Sequence, residues 1–80
     1  DIEPLNNIEI YPNPATSFVN IVGVKADATV EIFDMQGQLV MITNVNNSSY
    51  RLNIQRLVKG MYTLSVRTAD NTTKYFKLMK

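Results

Sequence analysis

The stretch MYTLSVRTADNTTKYFKLM, residues 61–79, reads as two runs of alternating side chains around a polar break. In the first run Tyr62, Leu64 and Val66 share one side while Thr63, Ser65 and Arg67 share the other. In the second, Phe76 and Leu78 oppose Tyr75 and Lys77. A period of two is that of a strand with one buried face, because successive side chains leave a pleated backbone in opposite directions. The break, ADNT, carries Asp70 and Asn71, whose short polar side chains bond nearby backbone and favour turns. Two consecutive strands are predicted, the first at 61–68 and the second at 73–79.

The same pattern extends upstream. Alternation predicts strands at 8–11 (Ile8 and Ile10 on one face), 18–22 (Val19 and Ile21 inward), 29–33 (Val30 and Ile32 inward), 38–45 and 50–54 (Leu52 and Ile54 on one side). The strand at 38–45 is apolar on both faces. DMQG, residues 34–37, supplies the turn between the third and fourth strands, with Gly37 free to take a positive φ. QRLVKG, residues 55–60, reads as one helical or 3₁₀ turn closing on Gly60, with Leu57 as a plug beneath the core. Seven short strands separated by turn signals predict an all-β fold, an immunoglobulin-like antiparallel β-sandwich over residues 8–80. The Cys…Trp…Cys pattern of antibody domains is missing, since the chain has neither residue. Residues 1–7, with Pro4 and two Asn, read as a linker feeding the first strand.

Composition bounds the rest. Eighty residues make one small domain, and without cysteine its stability must come from apolar packing. Hydrophobic residues at 45%, charged residues at 19% and a net charge of +1 place it among ordinary folded domains. So balanced a charge gives no field to hold a nucleic-acid backbone. The longest apolar run, LVMI at 39–42, is far too short to cross a bilayer as a helix. The first seven residues, DIEPLNN, have neither the basic nor the apolar region of a signal peptide, and the absence of an initiator Met suggests a piece of a longer chain.

Chemistry is sparse. With no His and no Cys, the commonest general base and the thiol nucleophile are both missing. The seven carboxylates fall mostly at turns or on outward strand positions, with no cleft for a carboxylate pair to work in. No enzyme, cofactor or metal site is therefore assigned. Asp27, Asp34 and Asp70 at strand ends allow a calcium site, but turn chemistry explains them more simply. Asn46, Asn47 and Asn71 match the N-glycosylation pattern and have the same simpler reading. Tyr11, Tyr50, Tyr62 and Tyr75 offer an aromatic platform only if their separate strands bring them together, and packing is the plainer role. Pro12 and Pro14 remove two backbone donors, and Pro14 biases Asn13 away from helix, so pairing in the first strand must stop at a stiff corner.

Taken together, YPNPATSFVNIVG, VEIFDMQGQLV, LVKGMYTLSVRT and the lysine-rich KYFKLMK resemble the type A C-terminal sorting domain of the type IX secretion system. Carried over position by position, the resemblance places a sorting motif on Tyr11, Pro12, Asn13, Pro14, Gly37, Gly60 and Tyr62. It places translocon recognition on the last strand, Lys74, Tyr75, Phe76, Lys77, Leu78, Met79 and Lys80, with the three lysines as exposed charges. The implied function is a non-catalytic export address at the C-terminus of a Gram-negative cargo protein. Such a protein crosses the periplasm and reaches the cell surface or medium through an outer-membrane translocon. The resemblance also implies that the linker, residues 1–7, leads from an upstream cargo domain, and that a sortase-like peptidase cuts at this linker and attaches the cargo to the surface.

Two other readings compete with the sorting domain. An adhesion or carbohydrate-binding module would want clustered exposed aromatics, and Trp is absent. A plain spacer would have no need to be C-terminal. Exposed strand edges further predict a homodimer or a swapped terminal strand.

Overall fold

Seven strands form where the alternation places them: β1 (Glu9–Tyr11), β2 (Phe18–Val22), β3 (Ala28–Phe33), β4 (Leu39–Val45), β5 (Ser49–Asn53), β6 (Met61–Thr68) and β7 (Thr73–Met79). The computed structural model describes residues 8–12, 17–24, 27–69 and 71–80. The expected linker at 1–7, and Asn13 and Pro14 of the corner, lie outside the described residues.

The strands make two antiparallel sheets, one ordered β1-β2-β5 and the other β4-β3-β6-β7. These orders put β1, β2 and β5 in the places of strands A, B and E of an immunoglobulin-like sandwich, and β4-β3-β6-β7 in those of C′, C, F and G. The predicted architecture is thus the observed one. Between the sheets lies one core: Ile8, Val19, Ile21, Val30, Ile32, Leu52, Ile54, Leu57, Tyr62, Leu64, Val66 and Leu78 are all buried, as alternation requires. Val24, Ala28 and Val45 join them at strand ends and in a loop, where period-two reasoning does not reach. Ile10 and Phe76 pack against this core from partly exposed positions.

Turn chemistry fixes the register. Asp34 and Gly37 close the β3–β4 hairpin through Asp34 N–H to Gln38 O (2.9 Å) and Gly37 N–H to Asp34 O (3.0 Å). Gly37 sits at φ 85°, a region that L side chains avoid. Asp34 Oδ1 accepts from the backbone N–H of Gln36 and Gln38, both at 2.9 Å, so this carboxylate stabilises a turn. Asn71 likewise takes a left-handed φ of 69° between β6 and β7.

Two expectations about exposure need correction. Ser65 points to the outer face as predicted, yet it is only 3% exposed. Its cross-strand neighbours, Glu31 on β3 and Tyr75 on β7, are large enough to cover it. The strand β4, apolar on both faces, does not bury both. Leu39, Val40 and Ile42 are 48%, 40% and 56% exposed. A register shift between Ile32 and Phe33 pairs them with Met41 and Leu39, leaving Val40 as the extra residue of a bulge.

Candidate functional site

The sequence features tied to sorting converge at one end of the sandwich, where β7 meets the loop between β5 and β6. That loop begins with a hydrogen-bonded turn, Leu57 N–H to Ile54 O at 3.1 Å, steadied by Gln55 N–H to Asn53 Oδ1 at 2.9 Å. The turn drops Leu57 into the core as the predicted plug and swings Val58 outward, 77% exposed. At the start of β6 the buried Tyr62 then donates its hydroxyl proton to Val58 O across 2.5 Å. A tyrosine near the start of strand F, bonded to backbone a few residues upstream, is the tyrosine corner of immunoglobulin-like sandwiches. The L-x-x-G-x-Y unit is therefore a fold device. Leu57 anchors it, Tyr62 ties it, and Gly60 passes the chain between them.

Gly60 also meets the end of the chain. Its N–H donates to Lys80 O (3.1 Å) and its carbonyl accepts from Lys80 N–H (2.9 Å), extending the β6–β7 ladder one pair beyond Met61 and Met79. From there the Lys80 side chain folds back under the loop. Its Nζ donates to the carbonyls of Ile54 (2.9 Å), Gln55 (3.2 Å) and Leu57 (2.5 Å). A single ammonium so gathers three carbonyls of this turn, one of which, Ile54 O, also accepts from Leu57 N–H.

This corrects the expectation that all three lysines are exposed charges. Lys80 and Lys74 are both partly buried: Lys74 Nζ donates to Ile8 O at 3.4 Å and sits 5.3 Å from the centre of the Phe76 ring. Lys77 is exposed, and so is Tyr75 at 68%. Phe76 is half-buried and Leu78 fully buried, while Met79 stands 41% exposed. The surface that β7 presents is thus Tyr75, Lys77 and Met79 along a sheet edge.

Of the other expected positions, the turn of Gly37 shares this end, whereas Tyr11 lies in the other sheet. Tyr11 is 49% exposed and joined to Pro12 by a cis peptide on the short edge strand β1. Gly37 occupies the β3–β4 turn of the sheet that also holds β6 and β7, and Asp34, Met35 and Gln36 of that turn line one groove with Leu57, Val58, Gly60 and Tyr62. The tyrosines form no common platform, because Tyr62 is buried, Tyr75 lies on an outer face, and Tyr11 and Tyr50 are in the other sheet with β2 between their strands. Among the described residues no group of three or more His, Cys, Asp or Glu is placed to hold a metal, and no helix is long and apolar enough to cross a membrane. Sequence reasoning missed the Lys80 clasp, for which no local signal exists. It did single out the unit around Tyr62 without identifying it as a corner.

The chain is thus an immunoglobulin-like sandwich distinguished by a tyrosine corner and a clasped last strand, a fold class that hosts many functions. Within that class the chain belongs to the secretion system C-terminal sorting domain family, the sorting domains of type IX secretion, whose model matches residues 9–80. The fold also matches part of a solved structure from Porphyromonas gingivalis, PorZ, an essential surface component of the type IX secretion system. The TM-score is 0.72 at 21% identity, over 96% of this chain and 12% of that one. The chain therefore corresponds to about an eighth of that protein, and at this identity the likeness speaks for the fold. No curated protein sequence is significantly similar to the chain.

Proposed function

We propose that the domain serves as the export address of a larger Gram-negative protein, and that the outer-membrane type IX translocon reads it at the β7 edge. The observation that carries this reading is the way β7 is held. Among the described residues its strand partner is β6, its backbone end is locked to Gly60, and Tyr75 and Lys77 are exposed along it. A strand fixed so firmly along one edge offers the other as a rigid template for an added strand, with alternate side chains giving specificity.

In this reading Tyr11, Pro12, Asn13, Pro14, Gly37, Gly60 and Tyr62 act by shaping the fold. Residues 1–7 link it to the cargo and include or lie near the place where a sortase-like peptidase cuts before surface attachment. Neither a cofactor nor a catalytic step of the domain's own is required.

The test is a fluorescent protein exported to the periplasm and fused to residues 1–80, in strains with and without a working type IX translocon. Fluorescence at the surface or in the medium of the intact strain alone supports the address, and the size of the released product reports cleavage. Retention in the periplasm of both strains overturns it.

A further inference from the structure

The sandwich has four sheet edges, and three are guarded. β1 is three residues long, carries Glu9 and runs into Pro12. β5 spans five residues and carries Arg51. β7 carries Lys74 and Lys77, like charges that oppose pairing with a second copy of itself while leaving the edge open to a partner of matching charge. Short strands, proline and charge, lysine above all, are the usual means by which sheet edges avoid pairing with other chains. The fourth edge, β4, has none of them. It runs seven residues as LVMITNV with no charge and no proline, and its Leu39, Val40 and Ile42 are exposed.

We infer that β4 is a self-association surface, pairing antiparallel with β4 of a second copy to join two four-stranded sheets into one. The strand is suited to itself. A two-fold pairing centred on Ile42, its middle residue, uses the full length of both strands, setting Leu39 against Val45, Val40 against Asn44 and Ile42 against Ile42 of the second copy. Closed two-fold contacts of this kind use one patch twice, cover both β4 edges and leave β7 as the edge of the joined sheet in each copy. Dimerisation here is separate from the export reading and does not depend on it.

Charge at the two ends of the strand selects the same occupant. Arg56 lines the groove beside Leu39, Val40, Met41 and Ile42, at the start of β4. Asp27 lines the groove beside Asn44, Val45 and Asn46, at its end. Reversing one strand against the other brings the Arg56 end of each copy alongside the Asp27 end of its mate, twice by symmetry. Neither side chain has an ion-pair partner among the described residues. The register that sets the exposed Ile42 of each copy against its mate therefore also sets Arg56 toward Asp27, in a groove whose other charge, Arg67, is already paired with Glu31.

Sedimentation velocity on the 80-residue chain, from micromolar to millimolar loading, tests the inference. The wild type should move from monomer to dimer. Ile42→Lys should stay monomeric throughout, with its dissociation constant raised at least about tenfold by a charge placed inside the seam, while its unfolding midpoint stays near that of the wild type. Tyr75→Lys, the matching change on the opposite edge of the same sheet, should dimerise as the wild type does. Arg56→Asp should weaken the dimer and the added Asp27→Arg should restore it, a rescue that a merely structural role for either residue would not give. A wild type that remains monomeric at every loading overturns the inference. So does a dimer that Ile42→Lys leaves intact, or one that Tyr75→Lys abolishes.

Discussion

Gly60 and Lys80 exchange two backbone hydrogen bonds, of 3.1 and 2.9 Å, and thereby tie the end of the last strand to the loop that carries the tyrosine corner. The Lys80 ammonium completes the tie by collecting three carbonyls of that loop. Replacing Lys80 by Met keeps most of the aliphatic stem and removes these charge-assisted bonds. Partial exposure lets water compensate some of them, so Lys80→Met should lower the unfolding free energy by about 1–2 kcal/mol. Lys59→Met, an exposed lysine of the same loop, should change it by less than about 0.5 kcal/mol. Urea denaturation of the two variants makes the comparison, and equal losses would show that Lys80 is not a clasp.

Tyr62→Phe isolates the corner. The ring remains buried and only the hydroxyl bond to Val58 O is lost. Because Val58 is exposed, its carbonyl regains water, and the loss should be about 0.5–1.5 kcal/mol with core packing unchanged. Tyr62→Ala removes the ring as well and should cost about 3–5 kcal/mol, the range for deleting a buried aromatic. Thermal unfolding separates the two, and a Phe variant as unstable as the Ala variant would overturn this division.

The reach of the sequence in this molecule follows the range of the interactions. Alternation is local, and so Val19, Ile21, Leu64 and Leu78 were assignable to the core from their neighbours alone. Gly37 and Asp34 were legible for the same reason, since a turn is written in four residues. Ser65 was not, because its burial depends on which residues lie across two different ladders. The Lys80 clasp is further out of reach: it joins residues 23 to 26 positions apart, and a lysine in an alternating strand gives no sign that its ammonium folds back. The exposed apolar edge of β4 was half legible, as the run LVMI announced two apolar faces but not that neither would be fully covered.

Gly37 gives a sharp test of backbone against side-chain cost. A Cβ built there meets nothing within 4 Å, so steric crowding by neighbours plays no part. What remains is the positive φ of 85°, which penalises an L residue by about 1–2 kcal/mol. Gly37→Ala should therefore destabilise by roughly that amount, and Gly37→Asn by less, since Asn tolerates the left-handed region. Chemical denaturation decides, and an Ala variant as stable as the wild type would mean that the turn relaxes to another type.

Glu31 and Arg67 form a cross-strand ion pair at 3.7 Å on the outer face, with the Arg side chain 47% exposed. Water and salt screen such a pair, so Arg67→Ala should cost less than about 1 kcal/mol. The effect should fade as salt is added. A loss that persists unchanged in high salt would assign the contribution to packing of the arginine stem instead.

The export reading makes its own demand on β7, because recognition and folding are assigned to opposite sides of one strand. Tyr75 and Lys77 face outward, whereas Leu78 is buried in the core and Lys80 is bound beneath the loop. The double variant Tyr75→Ser, Lys77→Ser should keep stability within about 1 kcal/mol of the wild type and abolish export of a fused fluorescent reporter. Leu78→Ala should cost about 2–5 kcal/mol and reduce export by unfolding the domain, with reporter fragments accumulating in the periplasm. Export scored beside denaturation separates the two routes to failure. If the double variant folds and is still secreted at the normal level, the outer side of β7 is not what the translocon reads.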